Sequence, residues 1–260
     1  MLVRNEFSAM RPAGFEPALR AWKARVLTRL DYGRSNYSSA ENFTMIVEID
    51  PILLGEFDIA VVSWVVKEVV VRERDENLER MKREVEQRIR ERFSLQTLKD
   101  HPIFRAYRDF YWRLGIDPTK DRPAGEALVR RILSGRPLPT INTAVDCYNV
   151  ASAETGVAMG AYDFSKIAGK LKLRKGKAGE EFLGIGFPSP VKLRGGEPVL
   201  SDDEKIVAIY PYRDSEWTKI TTQTREILLL SCGVPGIPVA LLREAGEKAV
   251  DYLRRFCGAV

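Results

Sequence analysis

Four stretches of this 260-residue chain concentrate side chains able to bind or transform a ligand. In PTINTAVDCYNVASAETG (residues 139–156), Asn142, Asp146 and Asn149 are spaced by four and three, so on a helix they share a face. Polar groups gathered on one face need partners or a ligand; alternatively, Asn142 caps the helix while Asp146 and Asn149 tie down nearby backbone. VAMGAYD (residues 157–163) follows Gly156 and places Gly160 just ahead of Tyr162 and Asp163. Small residues there let a backbone or a ligand approach closely, as in a turn or the wall of a site. SKIAGKLKLRKGKAGEE carries six Lys and Arg from Lys166 to Lys177 with no acid between them. On a strand, Lys170, Lys172 and Arg174 would line one face and Leu171 and Leu173 the other. That edge suits phosphates, and equally suits a solvated strand face. YPYRDSEWTKITTQTREILLL crowds Arg213, Asp214, Glu216, Thr218, Thr221 and Thr224 ahead of an apolar run. The cluster reads either as a site on a loop or as an arginine–carboxylate surface pair with threonines capping a turn.

Other chemistries are poorly served. The single histidine, His101, precedes Pro102 at an expected helix start, which argues against a histidine metal site or a Ser-His-Asp triad and for a structural role. Cys147, Cys232 and Cys257 are odd in number and far apart, which fits neither a disulfide framework nor a metal pair; they are expected to be buried or idle thiols. No phosphate loop, dinucleotide glycine fingerprint or metal signature occurs, so no metal and no cofactor are expected. No run of eighteen apolar residues and no secretory leader is present, so the expected address is the cytoplasm, with no membrane association.

The elements that must position these groups follow from periodicity. Residues 57–71 are rich in Val and Ile and read as a buried strand pair or one long strand. Residues 72–93 place Leu78, Met81, Val85 and Ile89 at helical steps beneath a charged face read as solvated. Further helices are expected over HPIFRAYRDFYWRLG, closed by Gly115, and RPAGEALVRRILSG, opened by Pro123 and closed by Gly135. KLKLR, EEFLGIG, EKIVAIYPY and REILLLS have strand character. Leu241, Leu242, Ala245, Ala249, Leu253 and Phe256 share one face of a last helix expected to pack on the sheet. The predicted fold is one mixed α/β domain over residues 45–260, a layered sandwich of mixed sheets with flanking helices.

The net charge of +5 is concentrated early. Residues 1–44 hold seven basic and four acidic side chains, leaving 34 basic and 32 acidic in the rest, so the body is nearly neutral. The first 44 residues show no sustained period and are expected to be a poorly ordered leader. Within them, Gly14-Phe15-Glu16-Pro17 is what the invariant arm sequence of a tRNA gene encodes when translated; the expectation this raises is that the leader is a misassigned start and that Met45 begins the protein.

RPAGEALVRRIL, LPTINTAVDCYN, TGVAMGAYDFSKIAG, KAGEEF and YRDSEWTKITTQTREILLL, in this order and spacing, resemble the B3/B4 domain, the editing module of the phenylalanyl-tRNA synthetase β subunit, most of all its free-standing versions. The resemblance covers about residues 100–235. It implies a domain that binds the aminoacylated 3′ end of tRNA and hydrolyses the ester when tyrosine has been attached by mistake, rejecting the correct phenylalanine because the polar groups that meet a phenolic hydroxyl would be left unpaired. On that reading Glu216 and Asp214 are the catalytic candidates, with Glu216 reading the amino-acid side chain. Asn142, Asp146, Asn149, Gly160, Tyr162, Asp163, Arg213 and Thr218 would bind substrate, and Lys170, Lys172 and Arg174 would meet RNA.

Two departures stand out. Asp214 and Ser215 occupy the positions of paired glycines in the bacterial pattern, and Gly160 stands where that pattern has a histidine. The different-class alternative is a non-catalytic module that binds RNA or an amino-acid-like molecule; a third reading is a subunit that docks to a synthetase through the charged helix at 72–93. If Met45 is the true start, mass spectrometry of the native protein will find its amino terminus there, and a native terminus upstream would exclude the misassigned start.

Overall fold

The computed structural model describes residues 47–260; the expected leader and the Met45 start lie outside the described residues. The described elements form three sheets with helices against them, the mixed α/β class expected. Five strands, β1 (Val47–Ile49), β4 (Leu171–Lys175), β7 (Pro198–Ser201), β8 (Ile206–Ile209) and β9 (Arg213–Asp214), follow one another across the first sheet. β1 runs parallel to β4, and the remaining pairs are antiparallel. The second sheet places β10 (Ile227–Gly233) between β2 (Ala60–Val66) and β3 (Ala158–Asp163), all antiparallel. β5 (Glu181–Phe182) and β6 (Val191–Lys192) make a short separate pair.

β10 has an unbroken apolar run, ILLL, because a central strand covered on both faces needs no polar side; all seven of its residues are buried. In the 57–71 stretch only residues 60–66 form a strand. A short helix, α1 (Pro51–Phe57), precedes the stretch and ends on its first residue: Asp50 caps it by accepting from Ile52 N at 2.9 Å, and Pro51 has no N–H to leave unpaired. At the other end Glu68 takes a left-handed φ of 57°, which ends the strand, and Val69 and Val71 enter the core from irregular backbone.

The charged stretch becomes α2 (Glu76–Arg92). It begins later than its charge run because Asp75 accepts from the amides of Asn77 and Leu78, capping the helix there. Leu78, Met81, Val85 and Ile89 are buried as the spacing requires. Two charged residues of the run are buried with them. Lys82 Nζ meets Asp146 Oδ2 at 2.9 Å, Glu79 Oε1 at 2.7 Å, Thr140 Oγ1 at 2.8 Å and the Pro139 carbonyl at 2.9 Å. Glu86 accepts from the Leu138 amide at 2.7 Å. The solvated face is therefore narrower than composition suggests.

α3 (Pro102–Arg113) and α4 (Ala124–Leu133) fall where expected. His101 sits at the start of α3 between the Phe93 and Phe104 rings, and burial pushes its imidazole below the usual range. α5 (Thr143–Thr155) is capped by Asn142, which accepts from Val145 N at 2.9 Å, and is closed by Gly156 at φ 76°. α6 (Val239–Cys257) buries Leu242, Ala245, Ala249, Leu253 and Phe256. It comes so close to β2 that a Cβ on Gly246 would stand 2.6 Å from Cζ2 of Trp64. Cys147, Cys232 and Cys257 are free and buried.

Removing Lys82 strands the Asp146 carboxylate in the interior. Lys82→Ala is expected to cost about 3–5 kcal/mol in urea unfolding, and the apolar pair Lys82→Met with Asp146→Leu to recover most of that loss. Equal destabilisation by the single and the paired change would refute this account of the contact.

Candidate functional site

The site forms where the carboxyl end of β3 meets the segment from Arg213 to Ile220. β3 is a buried strand rather than a turn, with Gly160 opposite Leu230 and Tyr162 opposite Leu228 of β10. The facing segment is pinned along its backbone. Ile185 N donates to the Asp214 carbonyl, Ser215 N to that of Val207, and Glu216 N to that of Leu183, each at 2.9 Å. Ser215 then caps a single 3-10 turn, Glu216–Thr218, by accepting from Trp217 N at 3.2 Å.

Tyr162 donates its phenolic hydrogen to Asp214 Oδ1 at 2.8 Å. Gly160 makes this possible: a Cβ there would lie 3.1 Å from Cζ of Tyr162, closer still to its hydroxyl, and 3.2 Å from Asp214 Oδ1. The space that a side chain at 160 would enter is taken by the phenol and the carboxyl.

Asp214 is half-buried as a residue, but its carboxyl is enclosed, and burial pushes its pKa up from 3.8 to about 6, against the opposing pull of the Tyr162 hydrogen bond and the Arg213 charge. Burial, and next the charge of Asp214, push the Tyr162 phenol well above its ordinary range, and the same two causes raise Tyr148. The site therefore holds one acid, Asp214, that titrates close to neutrality and two phenols, Tyr162 and Tyr148, that stay protonated.

Arg213 stacks its guanidinium 5.2 Å from the Tyr212 ring and 5.5 Å from that of Phe187, and its buried Nε has no hydrogen-bond partner among the described residues. Gly184 permits this stack, since a Cβ there would sit 2.7 Å from Cγ of Arg213. Thr218 is fully buried, and its hydroxyl also lacks a partner among the described residues. Such atoms are costly to leave unpaired and mark places where a ligand's polar groups can be received. Glu216 is half-exposed and paired with Lys219, beside the exposed Trp217.

The other expected site residues are dispersed. Asn142 caps α5 and also reaches the Ile220 carbonyl at 3.5 Å, so it supports the site loop from behind. Asp146 is committed to Lys82 and the Ile141 amide, and burial pushes its carboxyl up despite the Lys82 charge. Asn149 lines a separate cleft on α4. Asp163 accepts from the Ser165 hydroxyl at 2.6 Å and the Thr224 hydroxyl at 2.8 Å, with Lys166 at 3.6 Å, which ties the end of β3 to the start of β10.

Of the basic strand residues, Arg174 forks onto Glu180 at 2.8 and 2.9 Å, and Lys172 lies 3.6 Å from Glu48. β4 sits inside the sheet between β1 and β7 rather than at an edge, because β1 adds to it from residues distant in sequence. Sequence reasoning passed over Tyr148 and the 183–187 loop. The paired glycines Gly184 and Gly186 of LGIGF were the available signal for that loop.

Comparison with known proteins bears on this arrangement. The profile of the B3/4 domain matches residues 106–258, more than half of the chain and including every site element just described. The chain belongs to the B3/4 domain family. Among its relatives, the phenylalanine–tRNA ligase beta subunit of Chromobacterium violaceum is 28% identical over 167 residues, which is 55% of this chain and 21% of that subunit. The corresponding subunit of Fusobacterium nucleatum is 34% identical over 92 residues, 35% of this chain and 11% of that one. The chain thus spans about a fifth or less of the length of these relatives. A solved N-terminal fragment of the phenylalanyl-tRNA synthetase beta-subunit from Pyrococcus horikoshii aligns with 86% of this chain and 52% of its own at TM-score 0.47 and 14% identity, a likeness too loose to bear weight.

The raised Asp214 carboxyl makes a signed prediction. Between 3.8 and about 6 the folded chain holds a proton that the unfolded chain releases, so this group's contribution to stability falls as pH rises through that window and is level above it. Denaturant unfolding across pH 3.5–7 should show that decline in the wild type relative to Asp214→Asn. Parallel profiles would mean that Asp214 is not enclosed as described.

Proposed function

We propose that this domain binds the aminoacylated 3′ end of tRNA and hydrolyses a mischarged aminoacyl ester in trans, in the cytoplasm where tRNA is charged. The single observation that carries the reading is the Tyr162–Asp214 pair, an enclosed acid with a pKa of about 6 fitted into the space that Gly160 leaves open. Membership of the B3/4 domain family and likeness to segments of phenylalanine–tRNA ligase beta subunits support the choice of substrate.

In the proposed reaction a water attacks the ester carbonyl carbon. Asp214, ionised near neutral pH, takes the proton as the new C–O bond forms, and the bond to the ribose oxygen breaks as that oxygen recovers a proton. An acid poised near the working pH is a competent base for this step. The unpartnered Arg213 Nε and Thr218 hydroxyl are available to hold the substrate's polar groups, and Glu216, at the rim with Trp217, reads the amino-acid side chain. A pocket that satisfies a polar side chain rejects one that lacks it, because its own groups would be left unpaired.

The second reading, a binding module without hydrolysis, is favoured by Gly160 itself, which supplies no side chain where the resemblance leads one to expect a histidine. Deacylation assays with tRNAs charged with different amino acids separate the two. The catalytic reading expects hydrolysis of at least one mischarged tRNA above the spontaneous rate, reduced on the order of a hundredfold in Asp214→Asn. Glu216→Ala is expected to change which amino acid is removed. Spontaneous rates with every charged tRNA, alongside retained tRNA binding, would leave the binding module as the function.

A further inference from the structure

A second feature lies beside the site and is absorbed neither by the fold nor by the proposed chemistry. A cleft of about 480 Å³ on α4 is lined by Lys120, Arg122, Arg130, Arg131 and Arg136, with Asn149 of α5, and among the described residues no carboxylate lines it. We infer that this cleft is the surface on which the RNA phosphate backbone docks. The inference rests on the tRNA reading above and assigns its backbone contacts to residues other than the basic strand.

Charge availability is the first argument. Among the described residues, the exposed side chains of Arg122 and Arg136 have no ion-pair or hydrogen-bond partner, and that of Lys120 has only the charge of Asp117 nearby. The one acid beneath the cleft, Glu126, is fully buried and already answered twice, by Arg130 Nε at 2.7 Å and by an Arg108 guanidinium nitrogen at 3.0 Å. That leaves the surface strongly positive within a chain body that is nearly neutral. On β4, by contrast, Arg174 and Lys172 are matched to Glu180 and Glu48.

Chemistry selects the partner. Four of the five cations are arginines, whose planar forks fit phosphate oxygens in pairs. Among the described residues the apolar lining is Ala124, Ala127 and Leu128 alone. A protein partner needs an aromatic or aliphatic anchor, which this cleft does not provide. An exposed phosphate chain needs only spaced cations.

Position supplies the third argument. Tyr212, adjacent to Arg213 and Asp214, donates its hydroxyl to Asp121 at 3.3 Å, and Asp121 stands between Lys120 and Arg122. The cleft therefore adjoins the loop that carries the candidate site, as a strand running from docked phosphates to a bound 3′ end requires.

The test is tRNA binding by fluorescence anisotropy across a salt series, comparing the wild-type chain with R122E/R136E and with K99E/R254E, which changes net charge equally at exposed positions outside the cleft. R122E/R136E is expected to weaken binding at least tenfold and to flatten the dependence of log K on log salt by about 1 to 2, while K99E/R254E stays near wild type. All substituted residues are exposed, and unchanged thermal unfolding confirms that the variants fold. If wild type binds tRNA and R122E/R136E binds equally well with the same salt slope, or if K99E/R254E loses as much, the cleft assignment is wrong and the tRNA reading stands. If wild type binds no tRNA, the tRNA reading itself fails, and the cleft assignment falls with it. Competition by poly-glutamate as effective as by tRNA would overturn RNA in favour of an acidic protein.

Discussion

One ammonium group organises the region behind the site. Lys82 Nζ, buried beneath α2, gathers Asp146 of α5, Glu79 of its own helix, and the Pro139 carbonyl and Thr140 hydroxyl of the intervening loop. Desolvating that charge is costly, and only this full set of oxygens makes it tolerable. The geometry of α5 follows from it. With Asp146 fixed, Asn142 is held where it can cap the helix and reach the Ile220 carbonyl, so the loop that ends the Arg213–Ile220 segment rests on a helix whose first turn is itself anchored.

α3, α4 and α5 were the most legible part of the sequence, because each announces its ends: Pro102, Pro123 and Asn142 at starts, Gly115, Gly135 and Gly156 at stops. Long apolar runs marked β2 and β10 for the same reason. The short strands resisted. β9 is two residues long, and β1 joins β4 across more than a hundred residues, so nothing local in either sequence specifies its partner. Within the extended Val-rich stretch, a left-handed Glu68 ended the strand without the glycine that would have flagged it.

The site divides along similar lines. Composition pointed to VAMGAYD and to YRDSEWT, and the fold joins them through Tyr162 and Asp214, a contact spanning 52 positions that no spacing rule could supply. Asp146 shares a helical face with residues that look functional, yet an inward lysine from a charged run claims it. Periodicity reports which face a residue occupies and is silent on which distant group meets it there. The cations show the same limit from the other side. Lys172 and Arg174 form a conspicuous basic row that acids elsewhere in the chain neutralise, whereas Arg122 and Arg136, unmatched among the described residues, lie just outside the two ends of α4.

The missing Cβ of Gly160 also constrains the order in which this site can change. A side chain cannot be introduced at 160 while Tyr162 and Asp214 occupy the same volume, and a shorter residue at 214 would open a void unless 160 filled it. The three positions are therefore epistatic. A path between this site and one with a bulky residue at 160 must pass through an intermediate that is either overfilled or hollow, or must change two residues together. Within this fold, the identity of residue 160 is inherited as part of a set.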